Sequence, residues 1–409
     1  MFRGHKIVFA FYIAEYKRGD IVRNKKVISL FLIFLIVFSM TAYRVSAKTE
    51  LPFDVNAKSA LLMDFSSGKI LYEKNSHEKL PPASVTKIMT MLLTLEAVDS
   101  GKIKLNDMVT VSDYACTMGG TQLFLAPGEK RTVEELLKGV TVESANDAAV
   151  ALAEYLKGSE ELFVKSMNER AKQLGMNDTH FSNCNGLPIE NHYTSAYDIA
   201  IMSRELLKHS KIFNYTKIWM ETISEGRQKP FTMVNKNKMI RTYNGCDGLK
   251  TGSTDEAKFC ISATAIRNNM RLISVIMASP TRDIRNKEAG KLMDYGFANY
   301  EDVKLADKKD VIGKVKVLKG KEPSINAVPR DDFNILIEKG SKSEITKEIR
   351  INKTLSAEIK KGQKIGEIIA SMNGKEIGSM DIVSDGTVKK ASSIDLIGKS
   401  FREWITSGK

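Results

Sequence analysis

The pair Pro81-Pro82 constrains this chain more tightly than any other short stretch of it. Proline ends a preceding helix and holds the residue before it in an extended conformation, so the backbone must arrive here extended. Good helix formers follow at once, in the run Ile88-Met89-Thr90-Met91-Leu92-Leu93. The sequence therefore predicts a helix that continues to about Asp99, with Ser84 as its N-cap or in its first turn.

Lys87 lies three residues after Ser84, so on a helix its side chain projects from the same face one turn away. The unpaired N–H groups of a helix N-terminus favour developing negative charge, and a neutral amine can accept the serine's proton. Ser84 and Lys87 are therefore candidates for an activated nucleophile and its base. The alternative is a capping serine and a solvated lysine, because Ser-x-x-Lys also occurs at Ser66, in a turn, and at Ser76, in a polar connection.

The first 47 residues have the composition of a targeting segment. The basic residues Arg18, Arg23, Lys25 and Lys26 precede an apolar stretch over 27–40, and Val45-Ser46-Ala47 offers small residues for cleavage. We therefore predict a signal peptide over 1–47, followed by an exported protein. An uncleaved membrane anchor is the competing interpretation, although the apolar stretch is short for a full span.

Length and charge limit the class of protein. A chain of 409 residues can hold two domains, and its formal net charge of +13 invites a nucleic-acid interpretation. Much of the positive excess lies near the two ends, however, and no zinc-finger, RNA-recognition or basic-zipper pattern accompanies it. A surface that faces an anionic membrane or an acidic polymer explains the charge equally well, so no nucleic-acid partner is expected.

The cysteines offer no sign of a metal site. They are Cys116, Cys184, Cys246 and Cys260, without Cys-x-x-Cys spacing and without matching histidines. Zinc is therefore not expected, and no other metal or cofactor is suggested. Export permits disulfides, but we expect mostly free, packed thiols.

Hydrophobic patterning predicts an α+β domain over residues 48–303. Two strands, over 59–63 and 69–73, form a hairpin around the turn Ser66-Ser67-Gly68. Helical periodicity follows over 84–99, 133–138, 144–157, 161–174 and 195–209. Strands are then predicted over 248–253, 259–267 and 270–279, and a helix over 286–300. This order favours one sheet built from strands at both ends of the domain.

The pattern changes near residue 304. Short alternating runs over 311–317, 333–338, 365–372 and 377–383 predict a small β-sandwich domain over 304–388. The tail, 389–409, places Ile394, Ile397, Phe401, Trp404 and Ile405 along one helical stripe. We predict a membrane-associating amphipathic helix there, with a helix packed on its own domain as the alternative.

Two further motifs follow Ser84 and Lys87 in order. Ser144-Ala145-Asn146 opens a predicted helix, and Lys250-Thr251-Gly252 lies on a predicted strand. Each is weak alone, but the three together form a set known from acylating serine enzymes. Lysine is a poor base at its reference pKa of about 10.4, and partial burial beside Lys250 is expected to lower the pKa of Lys87. Gly252 is expected to let a substrate backbone lie against its strand.

In these motifs the sequence resembles the serine D-alanyl-D-alanine carboxypeptidases, the low-molecular-mass penicillin-binding proteins. The likeness extends to Gly119-Gly120-Thr121-Gln122, Ala126-Pro127-Gly128-Glu129, Thr194-Ser195-Ala196-Tyr197-Asp198 and Asp247-Gly248-Leu249. It implies a β-lactamase/transpeptidase-like domain, in which an antiparallel sheet carries helices on both faces beside a helical subdomain. A small C-terminal β-domain and a terminal amphipathic anchor are also implied.

The resemblance implies a role for each matched residue. Ser84 would be the acylated nucleophile and Lys87 its base, while Ser144 would relay a proton to the leaving D-alanine. Lys250 would supply positive charge to Ser144 and to the substrate's carboxylate end. Substrate binding would involve Asn146, Thr251, Gly252, Ser253 and Arg285. Of these, Asn146 would hold an amide, Arg285 the terminal carboxylate, and the N–H of Ser253 would complete an oxyanion hole with that of Ser84.

The implied reaction removes the terminal D-alanine from the peptidoglycan pentapeptide, outside the cytoplasmic membrane, with β-lactams as covalent inhibitors. A class A β-lactamase would need a Glu-x-x-x-Asn loop after the Ser-x-Asn motif, and none is found there. A DD-endopeptidase acting on cross-links has the same motifs and stays open. A non-catalytic penicillin sensor or wall-binding module is disfavoured by intact Ser84, Lys87 and Lys250. Ser253 stands where some relatives carry histidine, which bears on pH dependence and deacylation.

Overall fold

The computed structural model describes residues 54–223, 230–395 and 397. The predicted signal peptide over 1–47 lies outside these residues, as does most of the predicted tail helix over 389–409. Within the part that is described, no helix has both the length and the apolar character needed to cross a bilayer.

A five-stranded antiparallel sheet forms the centre of the first domain, in the order β2-β1-β9-β8-β7. Its strands are β1 (Ser59–Asp64), β2 (Ile70–Lys74), β7 (Cys246–Thr254), β8 (Lys258–Arg267) and β9 (Met270–Ser279). The predicted pairing of strands from both ends of the domain is confirmed, because β1 lies directly between β2 and β9. The edge strand β7 carries the Lys-Thr-Gly motif.

Helices cover both faces of this sheet. On one face, Ser203 of the helix Ala196–Leu207 shares a 2.8 Å hydrogen bond with Ser262 of β8. On the other, Gly296 of the helix Arg282–Asn299 lies against Leu272 of β9. The register pairs Ser262 with Val275, three residues from Leu272, so Ser262 and Leu272 point to opposite faces. The predicted arrangement, an antiparallel sheet with helices on both faces, is confirmed.

The chain between β2 and β7 forms the helical subdomain. The helices of the whole domain, numbered in chain order, are α1 (Lys87–Asp99), α2 (Asp113–Cys116), α3 (Val133–Lys138), α4 (Asn146–Lys157), α5 (Glu160–Gln173), α6 (Ala196–Leu207), α7 (Phe213–Thr216), α8 (Met239–Thr242) and α9 (Arg282–Asn299). Helices α6 and α9 are the two that cover the sheet. Two small hairpins accompany them: β3 (Met108–Thr110) with β4 (Lys130–Thr132), and β5 (Met220–Ile223) with β6 (Phe231–Val234). Helix α1 is buried on all sides over its first turns, as expected of a central helix.

Three predicted helix starts differ from the structure. Ser84 lies in a turn of 3-10 helix, Ala83–Thr86, and the α-helix begins only at Lys87. Helix α4 begins at Asn146 and not at Ser144. Helix α9 begins at Arg282, four residues before the predicted start, because Thr281 caps it through the N–H of Ile284.

The C-terminal domain is all-β, as predicted. Its strands are β10 (Tyr300–Ala306), β11 (Gly313–Leu318), β12 (Ser324–Pro329), β13 (Phe333–Glu338), β14 (Ile345–Ile351), β15 (Thr354–Ser356), β16 (Lys364–Met372) and β17 (Lys375–Ser384). They form a β10–β13 pair and a six-stranded sheet in the order β14-β16-β17-β12-β11-β15. These strands enclose an apolar core of their own, which includes Val315, Ile335 and Ile368.

Two carboxyl groups meet where the domains join. The Ser66 hydroxyl lies 2.9 Å from Asp64 Oδ2, at the end of β1, and 2.8 Å from Asp302 Oδ2, on β10. A single hydroxyl proton cannot satisfy both contacts, so the arrangement is complete only when one carboxyl group supplies a second proton. Asp64 Oδ2 also accepts the N–H and the hydroxyl of Ser67. Burial and the neighbouring Asp64 raise the pKa of Asp302 to about 6, so Asp302 carries the second proton below about pH 6.

We expect Asp302→Asn to stabilise the protein above pH 6. The raised pKa of Asp302 means that its favourable contribution is lost as the pH rises from about 4 to about 6, whereas a carboxamide donates to Ser66 at every pH. The expected gain is about 2 kcal/mol at pH 7.5, after allowance for solvent screening, and close to zero at pH 4. Thermal unfolding across this pH range measures the difference. Glu301→Gln on the same strand is the control, and equal stability of Asp302→Asn and wild type at pH 7.5 would contradict the shared proton.

Candidate active site

The Ser84 turn is held in a strained backbone conformation at the mouth of α1. Ala83, which precedes the serine, has a φ of +48°, in the left-handed region that non-glycine residues avoid. Such strain persists only where the surroundings enforce it, and it is typical of functional sites. Ser84 itself remains partly exposed, while Ala83, Val85 and Lys87 are buried.

Lys87 has three hydrogen-bonding partners and no exposed surface. Its Nζ lies 3.0 Å from Ser84 Oγ, 2.6 Å from Asn146 Oδ1 and 2.6 Å from the carbonyl oxygen of Asn185. The amide and carbonyl oxygens can only accept, so each takes an N–H of the amine. A neutral amine then directs its lone pair at the Ser84 hydroxyl, which is the arrangement that a general base requires.

Burial lowers the pKa of Lys87 to about 7, although the nearby Asp147 acts in the opposite direction. A contribution from the charge of Lys250 was also predicted, but burial alone accounts for the lowered pKa of Lys87. The pKa of Lys250 lies well below its usual range, first because of burial and then because of the positive charges of Lys87 and Arg285. Desolvation is therefore the chief reason that a large fraction of Lys87 is unprotonated at neutral pH and can accept a proton.

Ser144 and Lys250 form a second serine–lysine pair. Lys250 Nζ donates to Ser144 Oγ over 2.8 Å and to the carbonyl oxygen of Thr251 over 2.9 Å. Ser144 does not open α4 as predicted, because it ends a π-helical turn, Gly139–Glu143, with a φ of +70°. Ser144, in its left-handed conformation, separates the π-helical turn from α4. Its hydroxyl oxygen accepts the hydrogen bond from Lys250 on β7.

Strand β7 packs directly against the Ser84 turn at Gly252. A Cβ at this position would lie 2.8 Å from the backbone nitrogen of Ser84 and 2.9 Å from Pro82 O, closer than real Cβ contacts. Gly252 was predicted to leave room for a substrate backbone. The structure gives a further reason, since the glycine lets the Lys-Thr-Gly strand meet the serine turn.

The remaining predicted residues surround this junction. Asn146 bridges Lys87 and the loop at Gly119, whose carbonyl oxygen accepts from Nδ2 over 2.7 Å. Thr251 is nearly buried on β7, and Ser253 beyond it is exposed. Arg285 is buried on α9 and donates to Cys260 O, in the β8 residue paired with Gly252, and to Asn286 Oδ1. No salt bridge joins it to a carboxylate within the described residues.

Several supporting residues were not singled out from the sequence. Asp147 accepts the N–H groups of Leu123 and Leu125 and so holds the loop beside Asn146. Asn185 supplies a backbone carbonyl oxygen, for which the sequence offers only the turn signal Asn185-Gly186. Glu143 forms an ion pair with Lys236 and anchors the β5–β6 hairpin next to Ser144.

The four cysteines are free thiols, as predicted, and Cys184, Cys246 and Cys260 are buried. Across residues 54–223 and 230–395, no cluster of three or more His, Cys, Asp or Glu side chains is placed to hold a metal ion.

We expect Gly186→Ala to displace the Ser84 turn and to slow the reaction of Ser84 with a penicillin. Gly186 has a φ of +86°, and a Cβ there would overlap the carbonyl group of Ala83, so the new side chain must displace the turn. Gly158→Ala is a matched control, with the same φ of +86° and open space around the Cβ. The control should cost about 1 kcal/mol through backbone strain alone and keep its reaction with a fluorescent penicillin. Gly186→Ala should react at least about tenfold more slowly, and equal rates for both variants would contradict this packing.

Comparisons with known proteins agree with this geometry. A family model described as D-alanyl-D-alanine carboxypeptidase matches residues 44–281, and one described as penicillin-binding protein 5, C-terminal domain, matches residues 300–390. The D-alanyl-D-alanine carboxypeptidase DacF of Bacillus subtilis is 43% identical over 384 residues, which cover 93% of this chain and 99% of the relative. DacC of Escherichia coli is 34% identical over 391 residues, with 91% and 95% covered.

Solved structures give the same result. Penicillin-binding protein 5 from Haemophilus influenzae matches with a TM-score of 0.68 and 33% identity, over 83% of this chain and all of that one. A peptidoglycan synthesis regulatory factor (PBP3) from Streptococcus pneumoniae matches with a TM-score of 0.66 and 30% identity, over 82% and 100%. The chain therefore belongs to the serine-type D-alanyl-D-alanine carboxypeptidase family, among the penicillin-binding proteins.

Proposed function

We propose that this enzyme acts outside the cytoplasm and removes the terminal D-alanine of peptidoglycan pentapeptides through an acyl-enzyme on Ser84. The observation that carries the proposal is the buried Lys87 amine, with two N–H groups committed to Asn146 and Asn185 and its lone pair free for Ser84. A second serine–lysine pair, Ser144 and Lys250, supports it by offering a separate route for a proton.

Acylation begins when the Ser84 hydroxyl gives its proton to Lys87 Nζ and its oxygen bonds to the carbonyl carbon of the penultimate D-alanine. The carbonyl electrons move onto oxygen, and the N–H groups of Ser84 and Ser253 stabilise that charge. The C–N bond then breaks, and the leaving nitrogen takes a proton from Ser144, which Lys250 reprotonates. Free D-alanine departs, and an ester remains on Ser84.

Deacylation repeats these steps with water. Lys87 releases its first proton to solvent, accepts one from the attacking water, and finally returns it to Ser84 Oγ when the ester bond breaks. Burial of Lys87 serves both acylation and deacylation, because the same amine must be neutral at the start of each.

Positive charge in the cleft suits a substrate that ends in a carboxylate. The positive charges of Lys87, when protonated, and of Arg285 lower the pKa of Lys250, so the three basic side chains are electrostatically coupled. Burial lowers the pKa of Arg285 to about 10, and no carboxylate salt bridge within the described residues compensates its charge. An arriving carboxylate would favour the protonated form of Lys250, which prepares it to reprotonate Ser144.

We further propose the division of the chain into a signal peptide over 1–47, a catalytic domain over 48–303, a β-sandwich over 304–388 and a membrane-associating helix over 389–409. The exposure of Ile394 (82%) and Ile397 (70%) supports an interfacial helix, because apolar side chains at the start of the tail point into solvent. The net charge of +13 fits an anionic membrane surface.

Labelling with a fluorescent penicillin, followed by peptide mapping, tests the acyl-enzyme. We expect one label, on Ser84, and release of D-alanine from a diacylated peptide that ends in D-alanyl-D-alanine. Ser84→Ala should lose both activities, whereas Ser76→Ala, which removes the serine of another Ser-x-x-Lys motif, should keep them. A label elsewhere would refute the mechanism. Faster cleavage of a cross-linked dimer than of the pentapeptide would replace carboxypeptidase with endopeptidase.

We expect the rate constant for acylation to rise with pH around an apparent pKa near 7. Only the neutral amine of Lys87 accepts the serine proton, so the rate should fall about tenfold for each pH unit below 6. Stopped-flow acylation by a β-lactam that does not ionise between pH 5 and 9 measures this profile. Lys138→Met, which removes a lysine that pairs with Glu221 outside the site, should leave the profile unchanged. A flat wild-type profile would show that Lys87 is not the base.

A further inference from the structure

A chain of hydrogen bonds runs behind the Ser84 turn and plays no part in the steps above. The N–H of Ser182 donates to His192 Nδ1 over 2.9 Å, and His192 Nε2 lies 2.7 Å from Thr86 Oγ1. Thr86 Oγ1 in turn donates to the carbonyl oxygen of Ala83 over 2.8 Å. His192 and Thr86 are both buried, so water does not compete for these bonds.

The direction of every bond in this chain is fixed. Because Nδ1 of His192 accepts from a backbone N–H, the ring proton must be on Nε2, and His192 donates to Thr86. The Thr86 oxygen then receives one proton and directs its own at Ala83. Burial lowers the pKa of His192 to about 4, so the neutral ring and this direction persist at neutral pH.

The last acceptor is one end of the peptide group that joins Ala83 to Ser84. That group is planar and trans, so its C=O and its N–H point in opposite directions. Holding the Ala83 carbonyl oxygen therefore aims the Ser84 N–H, and a hydrogen bond to the carbonyl also polarises the N–H toward donation. Gly186 packs on the same carbonyl group from the other loop, which leaves it little freedom to turn.

We propose that His192 and Thr86 are positioning residues that orient and polarise the Ser84 N–H as an oxyanion donor. The inference rests on the proposed function, in which Ser84 forms the acyl-enzyme and its N–H holds the oxyanion. It assigns a purpose to the strained φ of Ala83, because a relaxed residue there would rotate the peptide plane and turn the N–H away. Neither side chain exchanges a proton with substrate.

Thr86→Val tests this proposal because valine keeps the shape of threonine and loses its hydroxyl. The acylation and deacylation rate constants should both fall, by about tenfold to a hundredfold, since the oxyanion forms in both steps. Thr86→Ser restores the hydroxyl and should recover most of both rates. Thr94→Val is the matched control, because Thr94 is buried on α1, which begins directly after Thr86, and its hydroxyl donates to the Thr90 carbonyl oxygen, away from the Ser84 turn.

The infrared C=O stretch of the acyl-enzyme ester separates positioning from general damage to the fold. An ester carbonyl in a strong oxyanion hole absorbs at lower frequency, so Thr86→Val should shift the band upward while Thr86→Ser and Thr94→Val should not. His192→Leu, which frees the Thr86 hydroxyl to rotate, should shift it in the same direction by a smaller amount. This second variant keeps the test decisive if Thr86→Val does not fold.

Rates within twofold of wild type for Thr86→Val, or an unshifted ester band in both variants, would overturn the positioning role. Failure of the proposed function looks different, because wild-type protein would then carry no ester on Ser84 at all. That result would remove both proposals, whereas a normal wild-type ester with unaffected variants would remove only this one.

Discussion

The rest of the site depends on one lysine amine held away from water. Removing Lys87 from solvent is costly for the charged form, and the fold compensates with two fixed acceptors from separate segments, Asn146 and Asn185. Those acceptors are themselves secured, Asn146 by the loop at Gly119 and Asn185 by its place in the segment that packs on the serine turn. Desolvation thus leaves the amine largely unprotonated at neutral pH, and the two acceptors that offset the cost of burial also direct its lone pair at Ser84.

Much of the architecture was accessible from the sequence because its signals are local. Apolar runs predicted the strands over 259–267 and 270–279 almost to the residue, and turn residues marked the hairpin after β1. The three motifs were recognisable because each needs particular side chains at short spacing. Predicted helix starts were less accurate, since Ser144 and Arg282 are placed by backbone conformation and by a cap, which leave little trace in hydrophobic periodicity.

What the sequence could not provide are contacts made by backbone atoms and by residues distant in the chain. Every residue type has a backbone carbonyl oxygen, so the identity of residue 185 does not predict its hydrogen bond with Lys87. The packing of Gly252 on the serine turn and the hydrogen bond of His192 to Thr86 also require the folded structure. Burial was predicted to lower the pKa of Lys87, but the sequence could not show that burial outweighs the charge of Lys250, because burial depends on everything that surrounds a side chain.

The position of β1 between β2 and β9 has a consequence for how the molecule is made. Leu61 pairs with Val275, so the central sheet closes only after more than 200 intervening residues have emerged. Such distant pairing is slow, and it leaves apolar edges uncovered in the meantime. Ser84 is synthesised early, but β7, which completes its cleft, and its neighbours β8 and β9 are synthesised much later. A partly synthesised or truncated chain would therefore carry Ser84 without the rest of its cleft. Such a chain could not form the acyl-enzyme until the catalytic domain is complete.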